Sequence, residues 1–335
     1  MTLTFGYKAS AEQFAPKPLL DFAVEAEAAG FDSAFISDHF QPWRHTGGHA
    51  PFSLAWMGAL GQATQRLVIG TSVLTPTFRY HPSIIAHAFG SLGAMFPRRV
   101  ILGIGTGESL NETPATGLVW PEQRERTLRF KEAVRLIRTL WSEDRVSFEG
   151  DYYHTENATI YDRPETPVPV YIAAAGPMMA KFAGQEGDGF ICTSGKKPEL
   201  YTETLLPKVA EGEAATGKST GDVDRMIEIK LSYDPDRQRA LEDCRFWGAL
   251  ALSPDEKMNV EDPLAMEKLA DNLPIERAAS RFIVTNDPEE AVDRIGSYVA
   301  LGFRHLVFHG PGPDQSRYIS LLGKDILPRL QKRFG

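Results

Sequence analysis

The strongest constraint on this chain is a strict alternation of short β-rich runs with longer helical periodicities, sustained almost from end to end. Adjacent parallel strands need a long crossover, and a helix is the usual one, so this rhythm predicts a parallel sheet with helices covering its outer face. Thr2–Tyr7 reads as the first strand. Pro18–Ala29 follows as a helix with Leu19, Phe22, Ala23 and Ala26 on one face, and Gly30 ends it. Strand Ser33–Ser37, helix Ser53–Thr64, strand Leu67–Val73, helix Pro82–Phe96, strand Val100–Gly105 and helix Pro121–Trp141 continue the pattern. After a hairpin at Val146–Thr155 come strand Val170–Ala174, helix Pro177–Glu186, strand Gly189–Cys192, helix Glu199–Thr216 and strand Met226–Tyr233. Helix Glu289–Leu301, strand His305–His309 and helix Ser316–Leu330 close the series. Eight strand–helix units fit a closed (β/α)8 TIM barrel better than an open doubly wound sheet. The expectation is one α/β domain over residues 1–335, with insertions around 107–120, 146–165 and 247–275.

A barrel of this kind carries its active site where the strands end, so the residues just after each strand are the candidates. They are polar and glycine-rich: Asp38-His39-Phe40-Gln41-Pro42-Trp43, Ser72-Val73-Leu74-Thr75-Pro76, Gly105-Thr106-Gly107-Glu108, Ala174-Ala175-Gly176 and Thr193-Ser194-Gly195-Lys196. His39 has the chemistry of a general base, an imidazole that accepts a proton near neutral pH, or else forms a loop-capping pair with Asp38. Trp43 offers an indole N–H and a flat wall, or simple loop packing. Glu108 follows Gly103, Gly105 and Gly107, whose G-x-G-x-G spacing is not the dinucleotide fingerprint and argues against a nicotinamide site. Thr193 to Lys196 combines hydroxyls, a glycine and an ammonium, either an anion cradle or a solvated turn. His45 and His49 have helical metal-ligand spacing, but Thr46-Gly47-Gly48 between them suits a loop, and no metal is expected.

Composition removes other classes. Lys and Arg number 36 against 44 Asp and Glu, a net charge of −8, which excludes an extended basic face for nucleic acid or an anionic membrane. No apolar run reaches the roughly 18 residues of a membrane span, and no signal-peptide pattern is present. Cys192 and Cys244 are too few for a disulfide framework and suit a reducing cytoplasm.

Four segments carry a specific resemblance: Tyr7–Phe14, Ser37–His45, Gly70–Tyr80 and Gly189–Lys196. They resemble the deazaflavin-dependent glucose-6-phosphate dehydrogenases of actinobacteria, a group within the luciferase-like monooxygenase superfamily, and the likeness spans essentially the whole chain. It implies a barrel of the bacterial luciferase-like type. The implied cofactor is coenzyme F420, an 8-hydroxy-5-deazaflavin, and the implied substrate is glucose 6-phosphate. It also implies that His39 is the base at the anomeric hydroxyl, that Glu108 is the proton donor to the deazaflavin, and that Trp43 stabilises the reacting centre. Asp38, Ser72, Val73, Thr75, Thr106, Asn111, Ala175 and Gly176 match positions that hold the cofactor, with a non-prolyl cis peptide at Ser72–Val73. Thr193, Lys196, Lys257 and Arg281 match the substrate-phosphate pocket. A cytoplasmic homodimer is the implied assembly. Two departures stand out: Met258, where a well-known member has histidine, and a Glu112–Trp120 loop one residue shorter. Another F420-dependent alcohol or sugar-phosphate dehydrogenase, an FMN monooxygenase and a non-catalytic cofactor carrier are the competing readings.

Overall fold

The computed structural model describes residues 2–257 and 260–335. Its strands are β1 (Thr4–Ala9), β2 (Ser33–Ile36), β3 (Val68–Thr71), β4 (Val100–Ile104), β5 (Val146–Glu149), β6 (His154–Ala158), β7 (Val170–Ala173), β8 (Gly189–Thr193), β9 (Asp224–Tyr233), β10 (Ile283–Thr285) and β11 (His305–His309). Eight of them close into a ring in the order β1-β2-β3-β4-β7-β8-β9-β11, and every neighbouring pair is parallel. The eight-stranded barrel expected from the alternation is therefore present. Met258, one of the two departures from the family pattern, lies outside the described residues.

Period-two alternation decides what fills the ring. Phe35, Ile101, Tyr171, Ile191, Met226 and Val307 form an apolar plug inside the barrel. The opposite faces of the same strands build the larger core under the helices, with Ile36, Leu102, Ile172, Phe190, Ile227, Leu306 and Phe308. From two residues beyond the plug along β9 and β11, the inward positions become Glu228 and then Lys230 on β9 and His309 on β11, and on β1 the inward residue is Lys8. The first strand runs to Ala9, past the expected end at Tyr7, because the Lys8 side chain is buried and bonded within the barrel.

Other differences also have local causes. Helix Glu199–Thr216 begins as a π turn at Leu200–Leu205 before the α-helix Leu206–Ala215, and the last helix repeats this at Leu322–Ile326 before Leu327–Phe334. In both, a proline (Pro207, Pro328) near the start of the following helix lacks the N–H needed for a regular turn. The 107–120 insertion contains a short helix, Ser109–Thr116. The hairpin is β5–β6, and the Glu132 carboxylate fastens its turn by accepting N–H bonds from Asp151, Tyr152 and Tyr153 at 2.9, 2.8 and 2.7 Å. At the expected insertion around 247–275, a 3-10 segment (Asp243–Ala251) and helix Pro263–Asp271 pack together, the latter capped by Asp262. β10 was not anticipated; it pairs with the outer end of β9.

Candidate active site

A cavity of about 470 Å³ opens at the carboxyl ends of the barrel strands, a volume ordinary for a small-molecule site. Of the residues singled out from sequence, His39, Trp43, Glu108, Asp38, Ser72, Val73, Thr75, Thr106, Asn111, Ala175, Thr193, Lys196, Lys257 and Arg281 all line it. Gly176 does not; it follows Ala175 as the residue preceding helix Pro177–Glu186, and a Cβ there would meet nothing within 4 Å. Gly103 and Gly105 let the wall form: a Cβ on Gly103 would lie 1.9 Å from the Thr71 carbonyl oxygen, and one on Gly105 would lie 2.8 Å from Val73 Cγ2. The Ser72–Val73 peptide is cis.

On one side the loop after β2 carries His39. Asn111 holds that loop, its Oδ1 accepting from the Phe40 and Gln41 backbone N–H groups at 2.9 and 3.2 Å. That orientation turns the Asn111 Nδ2 to His39 Nδ1 at 3.2 Å, while the Gln41 carbonyl lies 3.1 Å from the same nitrogen. His39 Nε2 lies 3.3 Å from the Glu12 carboxylate, which also accepts from the Ser37 hydroxyl. The Trp43 ring stands 6.0 Å from His39. Asp38 faces inward and is fully engaged by Ser53, Tyr80 and Arg79, and Arg79 also binds Glu112. Glu108 lines the cavity and its residue stays exposed to it, with protein crowded around the carboxyl. That partial desolvation raises its pKa above the ordinary carboxylate value, against the opposing charges of His39 and Lys257 and with help from Glu12.

The other side is cationic. Lys196 lies beside Arg281, Lys230 and Lys257; burial first, and then these charges, lower its ammonium pKa to about 8. Burial also lowers Lys257 and Arg281. Lys257 places its ammonium 4.7 Å above the Trp43 ring, joining the two halves of the site. Among the described residues none of Lys196, Lys257 and Arg281 is ion-paired, whereas Lys8 and Lys230 both pair with Glu228 at the cavity floor, at 3.5 and 3.0 Å. The loop from His45 to His49 donates backbone N–H groups to Glu267 and to the Glu12 carbonyl, and among the described residues no cluster of three or more His, Cys, Asp or Glu side chains is placed for a metal.

Strand-end inspection missed Glu12, Lys8, Glu228, Lys230 and His309. Glu12 stands in the loop after β1, a position of the right kind that went unweighed. The others lie inside strands. Their signal was the alternation Met226-Ile227-Glu228-Ile229-Lys230-Leu231, in which charges occupy one face of an otherwise apolar strand.

Comparison with known proteins locates this architecture. The luciferase-like monooxygenase family model matches residues 2–305. An F420-dependent glucose-6-phosphate dehydrogenase of Nakamurella multipartita is 61% identical over 333 residues, covering 99% of this chain and 98% of its own. One from Mycolicibacterium fortuitum is 61% identical over 332 residues, covering 98% of each. Among solved structures, an F420-dependent secondary alcohol dehydrogenase in complex with an F420-acetone adduct superimposes with a TM-score of 0.92 at 35% identity, over 98% of this chain and 99% of that one.

Proposed function

The chain belongs to the luciferase-like monooxygenase family and, within it, groups with the F420-dependent glucose-6-phosphate dehydrogenases, and from that premise we propose that it oxidises glucose 6-phosphate at the anomeric carbon to 6-phosphogluconolactone. Coenzyme F420, when bound, accepts the hydride at C5 of its deazaflavin. The observation that carries the reading is the set of three unpaired cations, Lys196, Lys257 and Arg281, across one cavity from His39 and Glu108. A phosphate dianion suits such a set, because Arg binds it with a planar fork and Lys supplies point charges.

The wall suits a flat tricyclic ring. β7 and the residues after it contribute only Ala173, Ala174 and Ala175, and Gly105 adds no side chain. Ser72, Val73 and Thr75 on one strand end, Thr106 and Asn111 on the next, and Ala175 beside them would hold the cofactor, while Asp38, bonded to Ser53, Tyr80 and Arg79, braces that wall and Gly176 stands outside the cavity.

The side chains divide the proton work. With Nδ1–H donating to the Gln41 carbonyl, His39 Nε2 keeps its lone pair and takes the proton of the anomeric hydroxyl. The imidazolium so formed lies 3.3 Å from the Glu12 carboxylate, which stabilises it. Glu108 is the proton donor to the cofactor, a role that the upward direction of its pKa favours. Trp43 closes the space between base and phosphate and offers its indole N–H to the reacting oxygen. Thr193, Lys196, Lys257 and Arg281 fix the distal phosphate, so binding energy remote from the reacting carbon is used to orient it. We place the protein in the cytoplasm and as a homodimer on the strength of the family alone.

The test is to mix purified protein with F420 and follow the cofactor's visible absorbance as glucose 6-phosphate, glucose or a simple secondary alcohol is added. Bleaching with glucose 6-phosphate and little with the other two is expected. Bleaching with the alcohol alone would transfer the assignment to an alcohol dehydrogenase.

A further inference from the structure

We propose that Lys230 is a further specificity-determining residue of this site, a fourth cation for the substrate's phosphate that is set in place by Glu228. The inference rests on the function proposed above and adds a residue to it from inside the barrel.

Three observations carry it. First, Lys230 lies on the strand beside the turn that forms the anion end: β8 and β9 pair with Thr193 opposite Glu228, and the Lys230 backbone N–H donates to Ser194 Oγ at 2.8 Å. Its side chain lines the same cavity as Thr193, Lys196, Lys257 and Arg281. Second, the charges at the floor do not balance. Glu228 is the one carboxylate for two ammonium groups, Lys8 at 3.5 Å and Lys230 at 3.0 Å. His309, the third neighbour at 3.3 Å, has its pKa lowered by burial and adds no negative charge. One buried positive charge is left over, and a surplus of that kind is expensive unless an anion completes it.

Third, the two lysines are not equivalent. Lys8 is spent on the opposite wall, where it donates to the Ser72 carbonyl of the cis peptide. Among the described residues the Lys230 ammonium has Glu228 as its one ionic partner, and Lys230 lines the cavity together with Lys196 and Lys257. The surplus charge therefore lies at the phosphate end. Lys196 and Lys257 both feel Lys230 as a like charge, in keeping with one shared locus for an anion.

The experiment is Lys230→Met, which leaves Glu228 with one partner and a balanced pair, compared with wild type and Lys230→Arg. KM for glucose 6-phosphate is measured with F420 saturating. Binding of inorganic phosphate is followed separately by the fluorescence of Trp43 and Trp247 without turnover, and F420 affinity by the same signal. In Lys230→Met, the KM and the phosphate dissociation constant are each expected to rise about tenfold or more, the loss of one charge-assisted hydrogen bond. F420 affinity should stay within about twofold, and Lys230→Arg should recover much of the loss. An unchanged KM and phosphate affinity overturn the proposal, as does a loss confined to F420 affinity. If wild type binds phosphate but fails to reduce F420 with glucose 6-phosphate, the assigned reaction falls, while the phosphate titration still decides the role of Lys230.

Discussion

On the proposed assignment, Lys196 should make phosphate affinity depend on pH within the working range. Its ammonium, lowered to about 8 mainly by burial and then by Arg281, Lys230 and Lys257, is roughly nine-tenths charged at pH 7 and about one-tenth charged at pH 9. The substrate titrates on the other side, since a phosphate monoester takes its second negative charge near pH 6. With productive binding needing both the dianion and the ammonium, kcat/KM for glucose 6-phosphate should rise through about pH 6, level off, and fall about tenfold per unit above pH 8. The sign follows from the direction of the shift: a lowered base gives up its proton, and with it the attraction for phosphate, as pH rises. Once substrate is bound, the neighbouring dianion favours the charged form, so kcat at saturation should keep its value to higher pH than kcat/KM. Initial rates from F420 absorbance at constant ionic strength measure both profiles. Lys257 is also lowered, so the decisive variant is Lys196→Arg, whose guanidinium stays charged. Removal of the limb near pH 8 in that variant is expected; a limb that stays, or a flat wild-type profile from pH 7 to 9.5, refutes the reasoning.

Three further outcomes are expected. Glu228→Gln strands Lys8 and Lys230 without a counter-charge, which costs about 3–5 kcal/mol for a broken buried pair; spread over a chain of this length it lowers Tm by roughly 4–7 °C, and a melt within a degree of wild type would contradict it. Burial pushes the Glu228 pKa up, but Lys230, Lys8 and His309 outweigh it and leave it well below the usual range. The stability it supplies is therefore present above the ordinary carboxylate pKa and is lost as pH falls through the lowered one, so acid unfolding of Glu228→Gln should lack that pH dependence. Asn111→Leu frees the Phe40 and Gln41 N–H groups and loosens the loop that carries His39, so kcat/KM should fall by roughly ten- to a hundredfold, about 1.4–3 kcal/mol of lost positioning, as measured by steady-state rates. Glu132→Gln weakens the clasp on the Asp151–Tyr153 backbone far from the cavity, costing about 1–3 kcal/mol; thermal melting should show this with KM unmoved.

The barrel was legible because its evidence is periodic. Each helix had to bury one face and each strand had to end in a loop, so helix Pro288–Ala300 announces itself by Asp287, Pro288 and an apolar stripe through Ala291, Val292, Ile295 and Val299. The rim residues were legible for a related reason, since a closed parallel barrel brings the ends of distant strands together. His39, Glu108 and Thr193 could be gathered by that rule alone. Lys257 and Arg281 could not, because the segment between β9 and β11 folds over the rim through tertiary packing of Trp247, Met266, Ala270 and Ala278, which has no short-range period; only family resemblance joined them to the site. The floor residues were hidden in another way. In most strands an alternating charge reads as a solvent face, and β9 becomes interpretable only once both of its faces are known to be interior, one toward the helices and one toward the cavity. The charges on such a strand are then functional candidates.

How an acidic chain can hold an anionic substrate follows from the pairing of the cavity's charges. Five cationic and five carboxylate side chains line it, Lys8, Lys196, Lys230, Lys257 and Arg281 against Glu12, Asp38, Glu108, Glu112 and Glu228. Asp38 and Glu112 are both taken up by Arg79, and Glu228 by the two floor lysines. What remains is polarised: Lys196, Lys257 and Arg281, with Lys230 beside them, at one end, and Glu12 next to His39 at the other. A sugar phosphate entering with its phosphate toward Glu12 meets repulsion there and forgoes the cations, and the reverse orientation meets attraction at its one charged end. Orientation is thus specified by the penalty on the wrong pose as well as by the contacts of the right one. An uncharged alcohol has no such handle, so the proposed polarity would also separate sugar phosphates from the alcohols used by a protein of nearly identical fold.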